Sequence, residues 1–311
     1  MLTFDKMKIV SHINNISNIN EEEFVSHFKG AEILYHKYHK EKPYNLLIMA
    51  DYCHNELVIE FTGKILKDNY KSLINRDNIR ECFNEINKLD ICSLDIDDII
   101  SNGNVVKCDV TKDIHTTEYN NIICLIKQNL SSYKKWVCKE YRGGLSLENC
   151  VATTRYKKRL IVYDKAKELS KATNVEFLNS VSNADDIISY FEHKIRFELN
   201  MNTMKQIRDL LCISDNNVMN VFSSSANPIL SVFDEAVKKI SLPQFKLSLR
   251  DYERSLLLKE CHYNMVAVEM KLRALIPSNT SIKRTMEPYY DLYQQLHGVS
   301  YRNLDVRGLL V

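Results

Sequence analysis

Four segments of this chain alternate apolar and polar side chains residue by residue, and that period of two constrains the fold more than any other feature. In Asn104–Ile114, Val106, Cys108 and Val110 fall on one side, and Lys107, Asp109, Thr111 and Asp113 on the other. In Lys194–Met201, Ile195, Phe197, Leu199 and Met201 oppose Arg196, Glu198 and Asn200. In Leu57–Thr62, Leu57, Ile59 and Phe61 oppose Val58, Glu60 and Thr62. In Arg159–Lys165, Leu160 and Val162 oppose Arg159, Ile161, Tyr163 and Lys165. Such alternation marks β-strands, whose successive side chains leave opposite faces. Together these strands predict an antiparallel sheet with one apolar face under helices and one polar face.

The remaining segments extend that frame. Lys6–Ser11 reads as a short strand, and Glu21–Tyr38 as a helix with Phe24, Phe28, Ile33 and Leu34 as its apolar stripe. Asn45–Tyr52 and Glu56–Thr62 read as a hairpin turning at Cys53-His54-Asn55. Arg76–Leu89, Tyr119–Asn129 and Asp185–His193 read as helices, and Gly143-Gly144 as a turn before strands at Leu145–Thr154 and Arg159–Lys165. After residue 202 the pattern becomes helical. Thr203 caps a segment to Leu211, Asn216–Phe222 follows, and Pro228–Ile240 carries proline in its first turn. A capping box at Ser248-Leu-Arg-Asp251 opens a helix through Leu257, and Met265–Ile276 and Pro288–His297 close the series. The expectation is an α+β fold: a domain at 1–202 carrying the sheet, and a helical accessory domain at 203–311.

Composition supports a folded core. Of 311 residues 45% are hydrophobic and 26% charged, with only 7 glycines and 5 prolines, which excludes a disordered or collagen-like chain. The net charge is +2, so any polyanion-binding surface must be a local concentration of charge. Nine cysteines, with no C-x-x-C pair, fit reduced thiols in a cytoplasm better than a disulfide framework. The first residues lack a signal-peptide layout, and no apolar run reaches the roughly 18 residues of a membrane span. A cytoplasmic protein with no membrane partner is expected.

The polar faces of the four strands carry a chemical inventory: Glu60, Asp109, Glu198, Tyr163, Lys165 and Arg196. Carboxylates suit a hard cation such as Mg²⁺ or Mn²⁺. A tyrosine beside such a cation suits nucleophilic attack at phosphorus, with lysine and arginine balancing phosphate charge. Alternation alone is more often the signature of a solvated face, and spacing by itself does not decide between the two.

Four stretches carry a resemblance that does. Leu57-Val-Ile-Glu-Phe-Thr-Gly-Lys-Ile-Leu66, Val105-Val-Lys-Cys-Asp-Val-Thr-Lys-Asp113, Arg159-Leu-Ile-Val-Tyr-Asp-Lys-Ala-Lys-Glu-Leu169 and Ile195-Arg-Phe-Glu-Leu199 follow in order over roughly residues 45–201. In that order the chain resembles rolling-circle replication initiators of the filamentous-phage gene II/X type, which also occur in small plasmids. The resemblance implies a metal-dependent endonuclease and strand transferase. Such proteins nick one strand of a double-stranded origin through a 5′-phosphotyrosine, free a 3′ hydroxyl for synthesis, and later rejoin the displaced strand. It places the nucleophile at Tyr163, a lysine of the same motif at Lys165, and metal-binding acids at Glu60, Asp109 and Glu198. Origin DNA, double-stranded and as the single-stranded nick site, and host helicase and polymerase are the implied partners. A non-catalytic DNA-binding regulator of the same fold and a plasmid mobilisation relaxase are the alternatives.

The chain departs from the wider superfamily of rolling-circle endonucleases in having no His-x-His pair. His36 and His39 read as surface residues of a helix, His54 lies in a turn, and His193 just precedes the Glu198 strand, so a carboxylate-dominated site is expected, with a place left open for one histidine from elsewhere. Between Lys134 and Lys171 stand 11 basic and 4 acidic residues, with Trp136, Tyr141 and Tyr156 among them. Basic groups hold phosphates and aromatic rings stack on unpaired bases. Lys134, Lys135, Arg155, Lys157, Lys158 and Arg159, together with Arg196, are therefore the candidate DNA contacts. Tyr156 reads as the lead-in to a strand, leaving a single catalytic tyrosine. In the C-terminal part, Asn279–Arg284 reads as a polar loop able to touch DNA backbone, and Tyr289, Tyr290 and Tyr293 as packing residues.

Overall fold

The computed structural model describes residues 2–130, 135–151, 153, 157–237, 247–276, 281–300 and 305–311. Strands β1 (Phe4–His12), β2 (Ile16–Ser17), β3 (Val25–Lys29), β4 (Glu32–Lys40), β5 (Leu46–Asp51) and β6 (Glu56–Thr62) come first. Helix α1 (Ile79–Asn87), β7 (Ser93–Leu94), α2 (Ile96–Asn102), β8 (Asn104–His115) and α3 (Tyr119–Gln128) follow. Then come β9 (Trp136–Tyr141), β10 (Gly144–Asn149), β11 (Arg159–Asp164), α4 (Lys165–Leu169), α5 (Val175–Asn179), α6 (Ala184–Phe191) and β12 (Lys194–Met201). The chain ends with α7 (Met204–Leu211), α8 (Val218–Ser223), α9 (Pro228–Ala236), α10 (Leu249–Glu260), α11 (Met265–Leu275), α12 (Ile282–Ser300) and α13 (Val306–Leu310).

Ten strands form one sheet in the order β3-β4-β5-β6-β1-β8-β12-β11-β10-β9, antiparallel throughout. The fold is α+β, as the alternation predicts. Ile195, Phe197, Leu199 and Met201 of β12 are all fully buried on one face. Helices α7, α8 and α9 cover that face, with Phe222 edge-on to Phe4 at 5.3 Å and Phe233 edge-on to Phe197 at 6.3 Å. Caps set these helices where the sequence places them: the Thr203 hydroxyl accepts from Gln206 N, and the Asn227 side chain from Leu230 N, just before Pro228.

Residues 1–119, 130–238 and 307–311 form one unit, and 120–129 and 239–306 a second. The division therefore falls near 238, not at 202, because α7–α9 spend their apolar faces on the sheet. The second unit has its own core, in which Leu258, Val268, Leu272, Met286 and Leu292 meet from α10, α11 and α12. Tyr289 and Tyr293 pack against it, whereas Tyr290 is exposed. Lys283 and Arg284, expected in a loop, lie on the first turn of α12, while residues 279 and 280 lie outside the described ones.

The segment predicted as a helix at Glu21–Tyr38 is the β3–β4 hairpin. Gly30, at φ +65°, splits the run at the turn. The stripe that suggested a helix does not exist as a face: Phe24 is buried, but Phe28 is 60% exposed. The true period is seen in β4, where His36 and Tyr38 are buried between half-exposed Tyr35 and Lys37 and exposed His39. Helices are also not confined to one face. Leu169, Phe177, Ile187 and Phe191 of α4–α6 cluster with Tyr70 over one end of the polar face. Among the described residues, no helix is long and apolar enough to cross a membrane.

Candidate active site

Register decides which polar residues meet. Across β11–β12–β8, Tyr163 is opposite Arg196 and Arg196 opposite Asp113. Two residues along, Ile161 is opposite Glu198 and Glu198 opposite Thr111. Two further, Arg159 is opposite Asn200, Asn200 opposite Asp109, and Asp109 opposite Lys6 of β1. Directly opposed residues share a face, so Tyr163, Glu198 and Asp109 lie together on the polar face. They line a cleft of about 1160 Å³, bounded also by Asp5, Lys6, Lys64, Tyr70, Tyr141 and Lys165.

At its floor the Tyr163 hydroxyl donates to Glu198 Oε2 at 2.9 Å. Asn200 Nδ2 donates to Asp109 Oδ1 at 2.8 Å and to Glu198 Oε1 at 3.2 Å, tying the two acids together. Burial, with Asp5 and Asp109 nearby, pushes the Glu198 carboxyl up to about 7. Burial also raises Asp109, against the opposing Asn200 hydrogen bond. The Tyr163 phenol is pushed well above its ordinary value, by burial first and Glu198 second.

Asp5 is the acid that strand reading missed. Phe4 pairs with Val110 but Lys6 with Asp109, so β1 holds one extra residue there. This bulge turns Asp5 toward the polar face, where Arg196 Nη1 donates to it at 2.7 Å. No strict alternation announces such an insertion; a carboxylate at the very start of a central strand was the available signal. Burial opposes ionisation of Asp5, but Arg196, Lys165 and Lys64 outweigh it and hold the carboxyl below its usual value.

Arg196 is not a DNA contact. It is fully buried, forked onto Asp113 at 2.6 and 2.7 Å, with the Phe191 ring 5.4 Å away. It lies on the polar face, as the alternation predicts, but the helices over that end of the sheet make it a structural cation. Lys165 is likewise 3% exposed, pairing with Glu168 at 2.6 Å beside the Tyr70 and Tyr163 rings. Burial and Arg196 oppose its charge, but Tyr70, Asp5 and Glu168 together hold its ammonium above the ordinary value.

Glu60 does not join Asp109 and Glu198. It lies on β6, two strands from Asp109, opposite Lys8. Lys6 forms an ion pair with it, and Lys8 approaches to 3.8 Å. Among the described residues, no three His, Cys, Asp or Glu are grouped to hold a metal ion. Asp109 and Glu198 are nevertheless an acid pair with incompletely balanced charge facing the cleft, bridged by the Asn200 amide nitrogen. That donor set suits one hard cation with open positions left for other oxygens.

The expected DNA contacts are largely engaged within the fold. Glu148 gathers Lys139 at 2.8 Å, Lys157 at 2.9 Å and Arg159 at 3.5 Å, while Lys158 pairs with Glu235 at 2.6 Å. Lys135 is exposed. Lys134, Arg155 and Tyr156 lie outside the described residues. Trp136, expected among the stacking rings, is buried. The histidines stay away from the cleft: His36 meets Ser26, His54 pairs with Asp51, and His193 lies edge-on to His115. No family model, curated protein or solved structure matches the chain.

Proposed function

We propose that this protein is a metal-dependent, site-specific DNA-nicking endonuclease and strand transferase that initiates rolling-circle replication, acting in the cytoplasm on origin DNA. One observation carries the reading: a tyrosine hydroxyl hydrogen-bonded to a buried carboxylate that is bridged to a second acid, inside an open cleft. The resemblance of the Tyr163, Asp109 and Glu198 motifs to rolling-circle initiators supports it.

In this reading Glu198 takes the phenolic proton as the Tyr163 oxygen attacks phosphorus. The phosphorus–O3′ bond breaks, the phosphate keeps its bond to O5′ and is now joined to Tyr163, and O3′ leaves on the opposite side, taking a proton from a cleft water that regains one from Glu198. Rejoining runs the same exchange backwards with a new 3′ hydroxyl. Lys6 and Lys64 line the cleft as cations for the phosphate, and Lys165 holds the ring of the nucleophile. Mg²⁺ or Mn²⁺, held by Asp109 and Glu198, would supply Lewis-acid polarisation of the phosphate.

The test is a covalent-adduct assay. Purified protein, Mn²⁺ and labelled single-stranded oligonucleotides tiled across the replicon that encodes it are resolved on a denaturing gel. A shifted protein–DNA band that Tyr163→Phe abolishes is expected. Failure of every oligonucleotide to give an adduct would leave the second reading, a non-catalytic DNA-binding regulator. The burial of Tyr163, only 8% exposed, favours that alternative.

A further inference from the structure

We infer that the uncovered half of the polar face, running from β8 across β1, β6 and β5 to β4, is a track for single-stranded DNA entering the cleft. The inference rests on the nicking reading and names the surface through which its substrate is held.

Lys8 of β1 stands directly opposite Lys107 of β8. Like charges at opposed positions on one face repel and are destabilising. The carboxylate in their midst, Glu60, is shared: Lys6 pairs with it, Lys8 lies 3.8 Å away, and Lys107 also acts on it. Three ammonium groups thus surround one carboxylate. Further out, Lys37 adds a fourth cation, opposite Met49, and Met49 is opposite Val58. Leu47 and Met49 are half-exposed here, while their neighbours Leu46, Ile48 and Ala50 are buried on the other face. At the far end the Tyr35 and His27 rings stack with centroids 4.3 Å apart and planes 22° from parallel.

Clustered cations, half-exposed apolar side chains and a flat ring pair fit a backbone of phosphates with unpaired bases. From β8 to β4 is four strand spacings, roughly 19 Å, the length of a few nucleotides. Asp51 and Glu56 share the row of Tyr35, so the phosphates run over the lysine rows and only a base reaches the rings. The β10–β11 cations differ in kind, being gathered onto Glu148 and Glu235.

The experiment uses the full chain carrying Tyr163→Phe, in chelator, with a fluorescein-labelled oligothymidylate of about 12 nucleotides, and reads anisotropy against salt. Replacing Lys8, Lys37 and Lys107 together by Gln is expected to weaken binding about tenfold or more and to reduce the salt slope by about 2. The Lys→Arg triple variant keeps the slope, separating charge from packing. Tyr35→Ala weakens binding about fivefold or more at an unchanged slope. Unchanged affinity and slope in the Gln triple variant would overturn the track, as would losses seen only on replacing Lys157, Lys158 and Arg159. Adduct formation is scored separately in the Tyr163 protein. Adducts with a silent Gln triple variant sink the track alone, whereas a working track with no adduct sinks the nicking reading alone.

Discussion

Gly144 lies directly across the β10–β11 ladder from Tyr163, and a methyl group built on it would meet Tyr163 Cβ at 2.7 Å and the Val162 carbonyl oxygen at 2.5 Å. Neither atom can swing away, since one begins the side chain and the other is backbone. The nucleophile candidate is therefore seated against the one residue type without a Cβ. Gly144→Ala should force the two strands apart, costing about 1–3 kcal/mol in a thermal or denaturant melt. It should also reduce adduct formation more than it reduces oligonucleotide binding. An alanine variant that melts and reacts like the parent would show that the contact is not a constraint.

Tyr163→Phe removes one oxygen and the hydrogen bond to Glu198, leaving the ring packed as before. Folding and DNA affinity should persist while the adduct disappears. Glu198→Gln keeps the shape but removes the proton acceptor, and should lower the adduct rate by about 10² or more. Asp109→Ala, or chelator added to the parent protein, should abolish the adduct and spare most binding. Glu60→Ala, two strands away, should leave most nicking intact, contrary to the expectation from its motif. Adduct formation rates by gel check all four.

The sheet and the trio Tyr163, Asp109 and Glu198 were legible because strict alternation fixes side-chain direction once neighbouring strands are named. What escaped reading broke the period. The bulge at Asp5 adds a residue to β1, and a second register shift against β8 brings Val105 into the core in place of Val106. The β3–β4 hairpin escaped because apolar residues at 24, 28, 33 and 34 imitate a helical stripe on a two-stranded ribbon near the sheet edge. Burial of Arg196 was not legible either. It depends on α6 folding over the polar face from just upstream, which no local pattern encodes. Glu60 misled for a related reason: its strand was right, but sheet order placed β1 between it and Asp109.

Arg196 is the most deeply committed cation in the sheet, and its loss should be among the costliest single changes. Arg196→Met retains the hydrophobic stem but strands Asp113 and Asp5, which it now pairs at 2.6 and 2.7 Å. Removing one partner of a buried ion pair typically costs about 3–5 kcal/mol, because the remaining charge is left without compensation. The expected result is a large fall in melting temperature. Asp113→Asn combined with Arg196→Met should recover part of it. A double variant no more stable than Arg196→Met would show that the unpaired Asp113 carboxylate is not the source of the loss.

Glu148 gives the fold an acid-sensitive point away from the cleft. Lys139 is the main cause of its lowered pKa; burial opposes, but Lys157 adds to the effect, and the carboxyl falls to about 2. The folded value lies below the unfolded one, so the folded state gains from ionised Glu148 wherever the pH exceeds the unfolded value of about 4.3. That gain shrinks as pH falls from there toward 2 and is gone below it. The partner cations are roughly half exposed, with side-chain exposures of 59% for Lys139, 43% for Lys157 and 46% for Arg159, so water and salt screen the interaction. A contribution on the order of 1 kcal/mol is expected, well short of the unscreened value. Glu148→Gln should therefore lower stability at neutral pH by about that amount and flatten the decline of stability between about pH 4.3 and 2. Added salt should narrow the gap between variant and parent at neutral pH. Denaturant melts across this range at two salt concentrations make the check, and parallel pH profiles for parent and Glu148→Gln would refute the assignment.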